Sequence, residues 1–280
     1  MTAATKKDIS IHKSNAMIRG GNRYTLNAQR LGNGIYNYIQ KNNYYKKELF
    51  KIPIQDVREI MNLCNTNAYV EVVKKAVLEL STPFVLYNPK DLIPFHKGGQ
   101  EVLWQSVQFL TDAAIVKEGK NIYIMGNLTD SMRLLIANAN EGNFTPLLLN
   151  GELKNIKSKH SHALYEYVSS YETHPQYKNR IEFKQKRLDK MFNLKESKKY
   201  KYFSSFLPVL ERCIIDINDN TDMYLKLAVD KKNKIYIIYR IRDYDKKISV
   251  NTIIIENTPS KNTEKPDIFS HPTGLFSKEQ

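Results

Sequence analysis

The fold is decided by residues 202–241, which read YFSSFLPVLERCIIDINDNTDMYLKLAVDKKNKIYIIYRI. The stretch up to Asn218 predicts one long helix, because its apolar side chains recur every three or four residues. Pro208 falls inside this pattern, so the helix either starts late or kinks there. Two strands are predicted next, Met223–Val229 and Lys234–Ile241, joined by a polar turn at residues 230–233. The pattern therefore predicts a helix that leads directly into a β-hairpin.

Two further helices are predicted before this stretch. One begins near Leu153 and closes at Tyr171, and the other covers Glu182–Asn193. A basic turn, Leu194–Lys199, separates them from the long helix. The second half of the chain thus reads helix, helix, turn, helix and hairpin. This is the order of a winged helix, in which the later helix enters the major groove of duplex DNA.

The first half of the chain repeats this order. Gly32 and Gly34 weaken its first predicted helix, since glycine costs up to about 1 kcal/mol in a helix interior. A hairpin turn is predicted at residues 117–120. The predicted helices are Tyr24–Asn42, Gln55–Leu63 and Ala68–Leu80, and the extended segments are Phe84–Tyr87, Val102–Leu110 and Asn121–Met125.

We therefore predict an α+β fold of two tandem winged-helix domains related by a pseudo-repeat. An N-terminal arm is expected at residues 1–22, a first domain at 23–145 and a second domain at 146–250. After Ile255 the chain becomes polar and contains prolines, which predicts a flexible tail over residues 251–280.

The charge of the chain points to a polyanionic partner. Its 280 residues include 43 Lys and Arg against 29 Asp and Glu, which gives a formal net charge of +14. The positive charge is concentrated in residues 1–75 and 151–212, whereas residues 76–150 and 213–280 are nearly neutral. A basic face on each of two modules would produce this distribution. Duplex DNA is the expected partner, because neutralising its phosphates releases counterions.

Several classes of protein are disfavoured. Cys64 and Cys213 lie among apolar helical residues and are expected to be buried free thiols, without the spacing of a metal site. No secretory signal or membrane span is expected, and the reducing cytoplasm of a bacterium is the expected compartment. A phosphate-binding loop and a nucleophile elbow are both missing from the sequence. Neither a cofactor nor a metal is expected.

One segment raises the alternative of a nuclease. His160-Ser161-His162, with Tyr165 nearby, resembles the metal site and tyrosine nucleophile of rolling-circle initiators. The middle residue is polar here, and the segment is predicted as helix rather than strand. We therefore expect no catalytic site.

Four motifs carry a resemblance to a known family. They are Ser14–Ile18 with Tyr24–Leu31, the segment Lys157–Tyr167, the segment Tyr202–Phe206, and Val209–Glu211 with Ile214–Asn218. In this order the chain resembles iteron-binding plasmid replication initiators over residues 12–245. Ala163 departs from the family pattern, which usually has arginine before Leu-Tyr, and Gly32 and Gly34 replace a usually apolar run.

The resemblance implies a function. Such initiators bind direct repeats at a plasmid origin, help to open the duplex and recruit host proteins such as the helicase and the initiator. Their dimers often repress their own gene. By this resemblance the first domain supplies the dimer contact and backbone contacts, and the second supplies the main DNA recognition. The alternative is a winged-helix transcription repressor without initiation activity.

The candidate DNA-binding residues cluster around the second predicted module. Most would hold phosphates, while those at the start of the recognition helix would read bases. The alternative is a solvated, charged helix face. Arg30, Arg58 and Arg212 are expected to form ion pairs within a domain instead, and Leu275 with Phe276 resembles a sliding-clamp peptide. The candidates are Lys184, Lys186, Arg187, Lys198, Lys199, Tyr200, Lys201, Ser204, Ser205, Lys231, Lys232 and Lys234, with Lys74 and Lys75 in the first domain.

Overall fold

The computed structural model describes residues 9–20, 24–46, 49–63, 69–87, 104–139, 144–194 and 202–241. The predicted tail, Cys64 and the turn at residues 195–201 lie outside these ranges. Within them, every helix is too short or too polar to cross a bilayer. The same residues bring no three metal-ligating side chains together.

The first half begins with strand β1 (Ser10–Ser14) and helices α1 (Asn15–Arg19) and α2 (Leu26–Asn42). It continues with β2 (Leu49–Pro53), α3 (Ile54–Arg58), α4 (Tyr69–Leu80), β3 (Phe84–Tyr87), β4 (Trp104–Val107), β5 (Leu110–Glu118), β6 (Asn121–Leu128), α5 (Asp130–Asn138) and β7 (Phe144–Leu148). The second half contains α6 (Lys159–Ser169), β8 (Arg180–Lys184), α7 (Gln185–Phe192), α8 (Leu207–Asn220), β9 (Tyr224–Asp230) and β10 (Ile235–Ile241).

The two larger sheets have the same topology. The strand order is β2-β6-β5 in the first and β8-β10-β9 in the second, and all neighbours are antiparallel. The first strand of each of these sheets, β2 or β8, follows an α-helix, α2 or α6, and two further α-helices separate that strand from the hairpin. The predicted winged-helix fold, mixed in helices and strands, is therefore confirmed. The relation of the halves by a pseudo-repeat stays a prediction.

Close packing of α3 and α4 against α2 explains the two glycines that were expected to weaken this helix. Its N-terminus is capped by Thr25, whose hydroxyl accepts from the amide of Ala28. A Cβ at Gly34 would lie 3.0 Å from Cγ1 of Val57 on α3, and one at Gly32 would lie 3.3 Å from Leu80 on α4. The glycines therefore let both helices approach α2, and this packing offsets their low helix propensity.

Two sequence predictions in the second half are wrong. Residues 182–184 are not helical, because β8 alternates buried Ile181 and Phe183 with more exposed residues and pairs with β10. Helix α6 starts at Lys159 rather than near Leu153, where a single turn of π-helix ends. The chain is non-helical at residues 156–158, and the Asp216 carboxylate accepts the amides of Lys157 and Ser158, each at 3.1 Å.

The long helix of the second half starts late, which is one of the two outcomes that Pro208 allowed. A turn of 3-10 helix covers Phe203–Phe206, and α8 begins at Leu207 with Pro208 in its first turn. Proline is tolerated there, because the first amides of a helix have no partner within it. Cys213 on α8 is 2 % exposed, as expected for a structural thiol, and burial raises its pKa to about 12.

Candidate nucleic-acid interface

The hairpin of the second half contacts the turn that leads into α8. The Tyr236 ring at the start of β10 stacks on Phe203, with centroids 4.2 Å apart, and its hydroxyl donates to the Phe203 carbonyl. Lys184, the last residue of β8, lies opposite Ile235 in the sheet. The hairpin turn, the end of β8 and the turn before α8 therefore form a continuous surface, which we call the wing surface.

The hairpin turn is held in shape by its own side chains. The Asp230 carboxylate accepts the backbone amide of Asn233 at 2.9 Å and its side-chain amide at 2.7 Å. These hydrogen bonds lower the pKa of Asp230. Lys234 takes up the left-handed conformation at φ 54, which closes the turn. Lys231, Lys232 and Lys234 are all exposed, so the turn presents three ammonium groups to solvent from an ordered backbone.

Asn218 ties the helix to the wing. It is the last residue of the Ile-Asn motif, and its side-chain amide donates to the carbonyl of Leu225 on β9 at 3.0 Å. Its side-chain oxygen accepts the Leu225 amide at 2.8 Å. This paired contact fixes the angle between α8 and the hairpin. A rigid angle lets both elements meet one duplex without further ordering.

The other candidates of the second half have different environments. Lys184, Lys186 and Ser204 are exposed, and Ser205 is half-buried. Lys198, Lys199, Tyr200 and Lys201 lie outside the described residues.

Arg187 is engaged inside the protein. Its Nε donates to the Tyr167 hydroxyl at 3.2 Å, and its terminal nitrogen donates to the Arg19 carbonyl at 2.7 Å. The guanidinium also lies 4.8 Å from the centroid of the Tyr167 ring. Its part in DNA binding stays a prediction.

Sequence reasoning overlooked Tyr202. It was counted as the first residue of the long helix, but it precedes the 3-10 turn and is 67 % exposed. An exposed aromatic ring that follows a lysine-rich stretch of sequence is suited to contact sugar or base edges. The available signal was its position directly after Lys199, Tyr200 and Lys201.

The first half carries the two remaining candidates, Lys74 and Lys75. Lys74 and Lys75 on α4 are both exposed, but Lys74 Nζ lies 4.0 Å from the Glu71 carboxylate one turn earlier. The same helix exposes Leu78, at 62 %. Like the second half, this half has a hairpin, whose turn contains Gly119 and Lys120.

The histidines of the possible nuclease motif are on a helix, as expected. His162 is completely buried on α6, and Tyr165 is only 5 % exposed. Burial lowers the pKa of both His160 and His162 to about 4.

Comparison with known proteins identifies the family to which this chain belongs. The family model described as initiator replication protein, first winged-helix domain, matches residues 10–169. The chain belongs to the initiator replication protein family. It is therefore a replication initiator. No curated protein sequence matches it.

One solved structure supports the fold of this initiator. The Pi initiator protein, crystallised in complex with iteron DNA, is similar with a TM-score of 0.61 and 17 % sequence identity, covering 85 % of this chain and all of that chain. Two structures of domains 2 and 3 of RctB show lower similarity. Their TM-scores are 0.43 and 0.37 and their identities 12 % and 11 %, covering 77 % and 79 % of this chain and 82 % of each of those chains.

Proposed function

We propose that this initiator binds directly repeated duplex DNA at a plasmid origin, helps to open the duplex and recruits host replication proteins. The wing surface carries the proposal, because its exposed lysines and the start of α8 lie together on a winged-helix module of an initiator. The complex of the Pi initiator protein with iteron DNA supports this kind of partner. Lysines of the hairpin would hold phosphates, while Tyr202 and Ser204 would approach base edges.

A footprint on the DNA that flanks the gene tests this function. We expect protection of several direct repeats of about 20 base pairs each, which is two helical turns. K231E/K232E should abolish protection by placing carboxylates against phosphates. K41E is the matched control, since Lys41 is an exposed lysine in the last turn of α2, away from the wing surface. Protection that is absent, or that survives the double reversal, would contradict the proposal.

A repressor without initiation activity would give a different footprint. It would protect an inverted repeat alone and would leave an adjacent AT-rich stretch base-paired. Permanganate reactivity of thymines in that stretch separates the two functions. Thymines that become reactive only when the protein is added indicate duplex opening.

We propose that the protein acts by binding alone, without a catalytic site. The complete burial of His162 and the 5 % exposure of Tyr165 support this. Incubation with supercoiled origin DNA and a divalent metal should leave the DNA intact. A nicked DNA strand that is joined covalently to the protein would assign the chain to the rolling-circle class.

Further details of this function are proposals of the same kind. The two halves would be related by a pseudo-repeat, the first would form the dimer contact, and the dimer would repress the protein's own gene in the bacterial cytoplasm. The host partners would be the replicative helicase and the host's own initiator protein. Leu275 with Phe276 would bind the sliding clamp. A clamp pull-down by a tail peptide, lost on L275A, tests the last of these.

A further inference from the structure

We propose that residues 10–19, which we call the strap, fix the spacing between the two winged-helix modules through the buried Lys13–Glu166 pair. The spacing of the modules then determines how far apart along the duplex the two DNA segments contacted by the modules must lie. Lys13 and Glu166 are positioning residues and touch no DNA. This inference rests on the proposed function, since it concerns how that DNA surface is arranged.

The strap is attached to both halves of the chain. Its strand β1 pairs with β7, which leads from the first half towards α6, and Ile11 lies opposite Leu147. Gln40 on α2 covers the other edge of β1. Its side-chain oxygen accepts the His12 amide at 3.1 Å, and its side-chain amide donates to the His12 carbonyl at 2.8 Å.

The Lys13–Glu166 pair joins three elements at one buried point. Nζ of Lys13 on β1 lies 2.8 Å from both carboxylate oxygens of Glu166 on α6, and 2.9 Å from the side-chain oxygen of Asn33 on α2. Asn33 also donates to Glu166 at 3.0 Å. Lys13 is 7 % and Glu166 3 % exposed. Buried charges tolerate only an arrangement that keeps them paired, so this contact selects one position of α6 relative to α2.

A second contact fixes the far end of the strap. The Arg19 guanidinium donates to the carbonyl of Ser170 at 2.7 Å and to its hydroxyl at 3.2 Å, directly after α6. It also lies 4.1 Å from the Tyr171 ring centroid. Arg187 on α7 also contacts the strap, because its guanidinium donates to the Arg19 carbonyl. The strap is thus bonded to both of the first two helices of the second module.

A third contact fixes the connecting segment itself. Arg30 on α2 was expected to form an ion pair, but its guanidinium donates to the carbonyls of Lys154 and Ile156, at 2.6 and 2.7 Å, just before α6. It also donates to the Met61 carbonyl at 3.3 Å, after α3. This side chain therefore holds the segment between the modules against the first module.

These contacts determine the position of the DNA-facing helices. Helix α4 packs against α2, and α8 packs against α6. Fixing α2 relative to α6 therefore fixes α4 relative to α8. One added base pair lengthens the duplex by about 3.4 Å and rotates it by roughly 34°, because a turn contains 10–10.5 base pairs. A rigid protein cannot contact both segments of such a DNA.

The test measures the affinity of the protein for two DNA duplexes. One is a repeat found by footprinting, and the other is the same repeat with one base pair inserted between its two protected segments. Wild-type protein should lose at least tenfold in affinity on the insertion. K13M/E166L replaces the buried pair by apolar side chains, a change that buried ion pairs often tolerate without loss of stability. This variant should bind the original repeat and lose less than threefold on the insertion.

Two further variants keep the test decisive. R240M/E172L removes an exposed ion pair of 2.9 Å that lies within the second module, away from the hairpin turn, and it should keep the wild-type discrimination. R19Q loosens the strap without touching the buried pair, and it should reduce discrimination even if K13M/E166L fails to fold. Unchanged discrimination in folded K13M/E166L or R19Q protein overturns the inference alone. Absence of a specific complex with wild-type protein overturns the proposed function and the inference with it.

Discussion

Removing Lys13 alone should destabilise the protein more than removing Lys13 and Glu166 together. In K13M the Glu166 carboxylate loses two contacts of 2.8 Å and keeps only the 3.0 Å hydrogen bond from Asn33. Leaving one member of a buried pair uncompensated costs about 3–5 kcal/mol. For a domain of this size each kcal/mol lowers the melting temperature by roughly 2–4 °C. K13M should therefore melt about 6–20 °C below wild type.

Thermal and urea unfolding followed by circular dichroism measure this difference. E166L should be destabilised by a similar amount, because it leaves the Lys13 ammonium with only the Asn33 oxygen. K13M/E166L leaves the buried Asn33 side chain without these two partners, which costs about 1–3 kcal/mol, and its total loss should still be well below the sum of the two single variants. Single variants that each cost less than about 1 kcal/mol, with additive effects in the double variant, would show that the pair is solvated and would refute the reasoning.

Three other predictions concern the wing surface, acid stability and helix packing. K231Q/K232Q should weaken binding to specific and nonspecific DNA alike and reduce the slope of log K against log salt by about 2, measured by fluorescence anisotropy; an unchanged slope would mean that these lysines touch no phosphate. On acidification near pH 5 the free energy of unfolding should fall by about 1 kcal/mol per pH unit for each of His160 and His162, because burial lowers the pKa of both to about 4 and each takes up a proton below about 6.5 in the unfolded chain. H162L should reduce this dependence in urea titrations and leave the part due to His160, and an equally steep dependence would contradict the assignment. G34A should cost about 1–3 kcal/mol, because its Cβ would lie 3.0 Å from Val57. G32A should be close to neutral, because its Cβ would meet the movable end of Leu80 at 3.3 Å and Phe109 at an ordinary contact distance of 3.8 Å. Equal melting temperatures for the two glycine variants would show that α3 can shift away from α2.

The acid dependence has a second component with the same sign. Burial would raise the pKa of Glu166, but Lys13, His162 and Asn33 together lower it below the usual 4.5. The paired carboxylate thus contributes stability above pH 4.5 that is lost as the pH falls further. Because His162 responds first on acidification and Glu166 afterwards, the loss should continue below pH 4.5 in H162L.

Local sequence signals were sufficient for the elements that carry the wing surface. The apolar spacing of α8, the alternation of β9 and β10 and the polar turn between them are properties of neighbouring residues. Helix α8 begins at Leu207, five residues after the predicted Tyr202, but these signals predicted its end within two residues and both hairpin strands within one. The same holds for α2 and α4 in the first half. The order of these elements and four short motifs were enough to indicate the fold and the family.

Tertiary structure decided what depends on distant partners. Residues 180–184 form a strand because β10 is available to pair with them. The start of α6 combines a local cap, in which the Ser158 hydroxyl accepts the Ser161 amide, with the distant Asp216 carboxylate, which accepts the amides of Lys157 and Ser158. Charge counting could not separate the exposed Lys184 from Arg187, whose donors are used inside the protein.

The clearest case is the strap, where Lys13 meets Glu166 across 153 positions of sequence. A basic residue near the N-terminus has the same pattern whether it faces solvent, DNA or a buried carboxylate. Residue order determines the local conformation through steric and hydrogen-bonding preferences of adjacent residues. The partner of a charge is selected only when packing removes water from both groups and leaves them in contact.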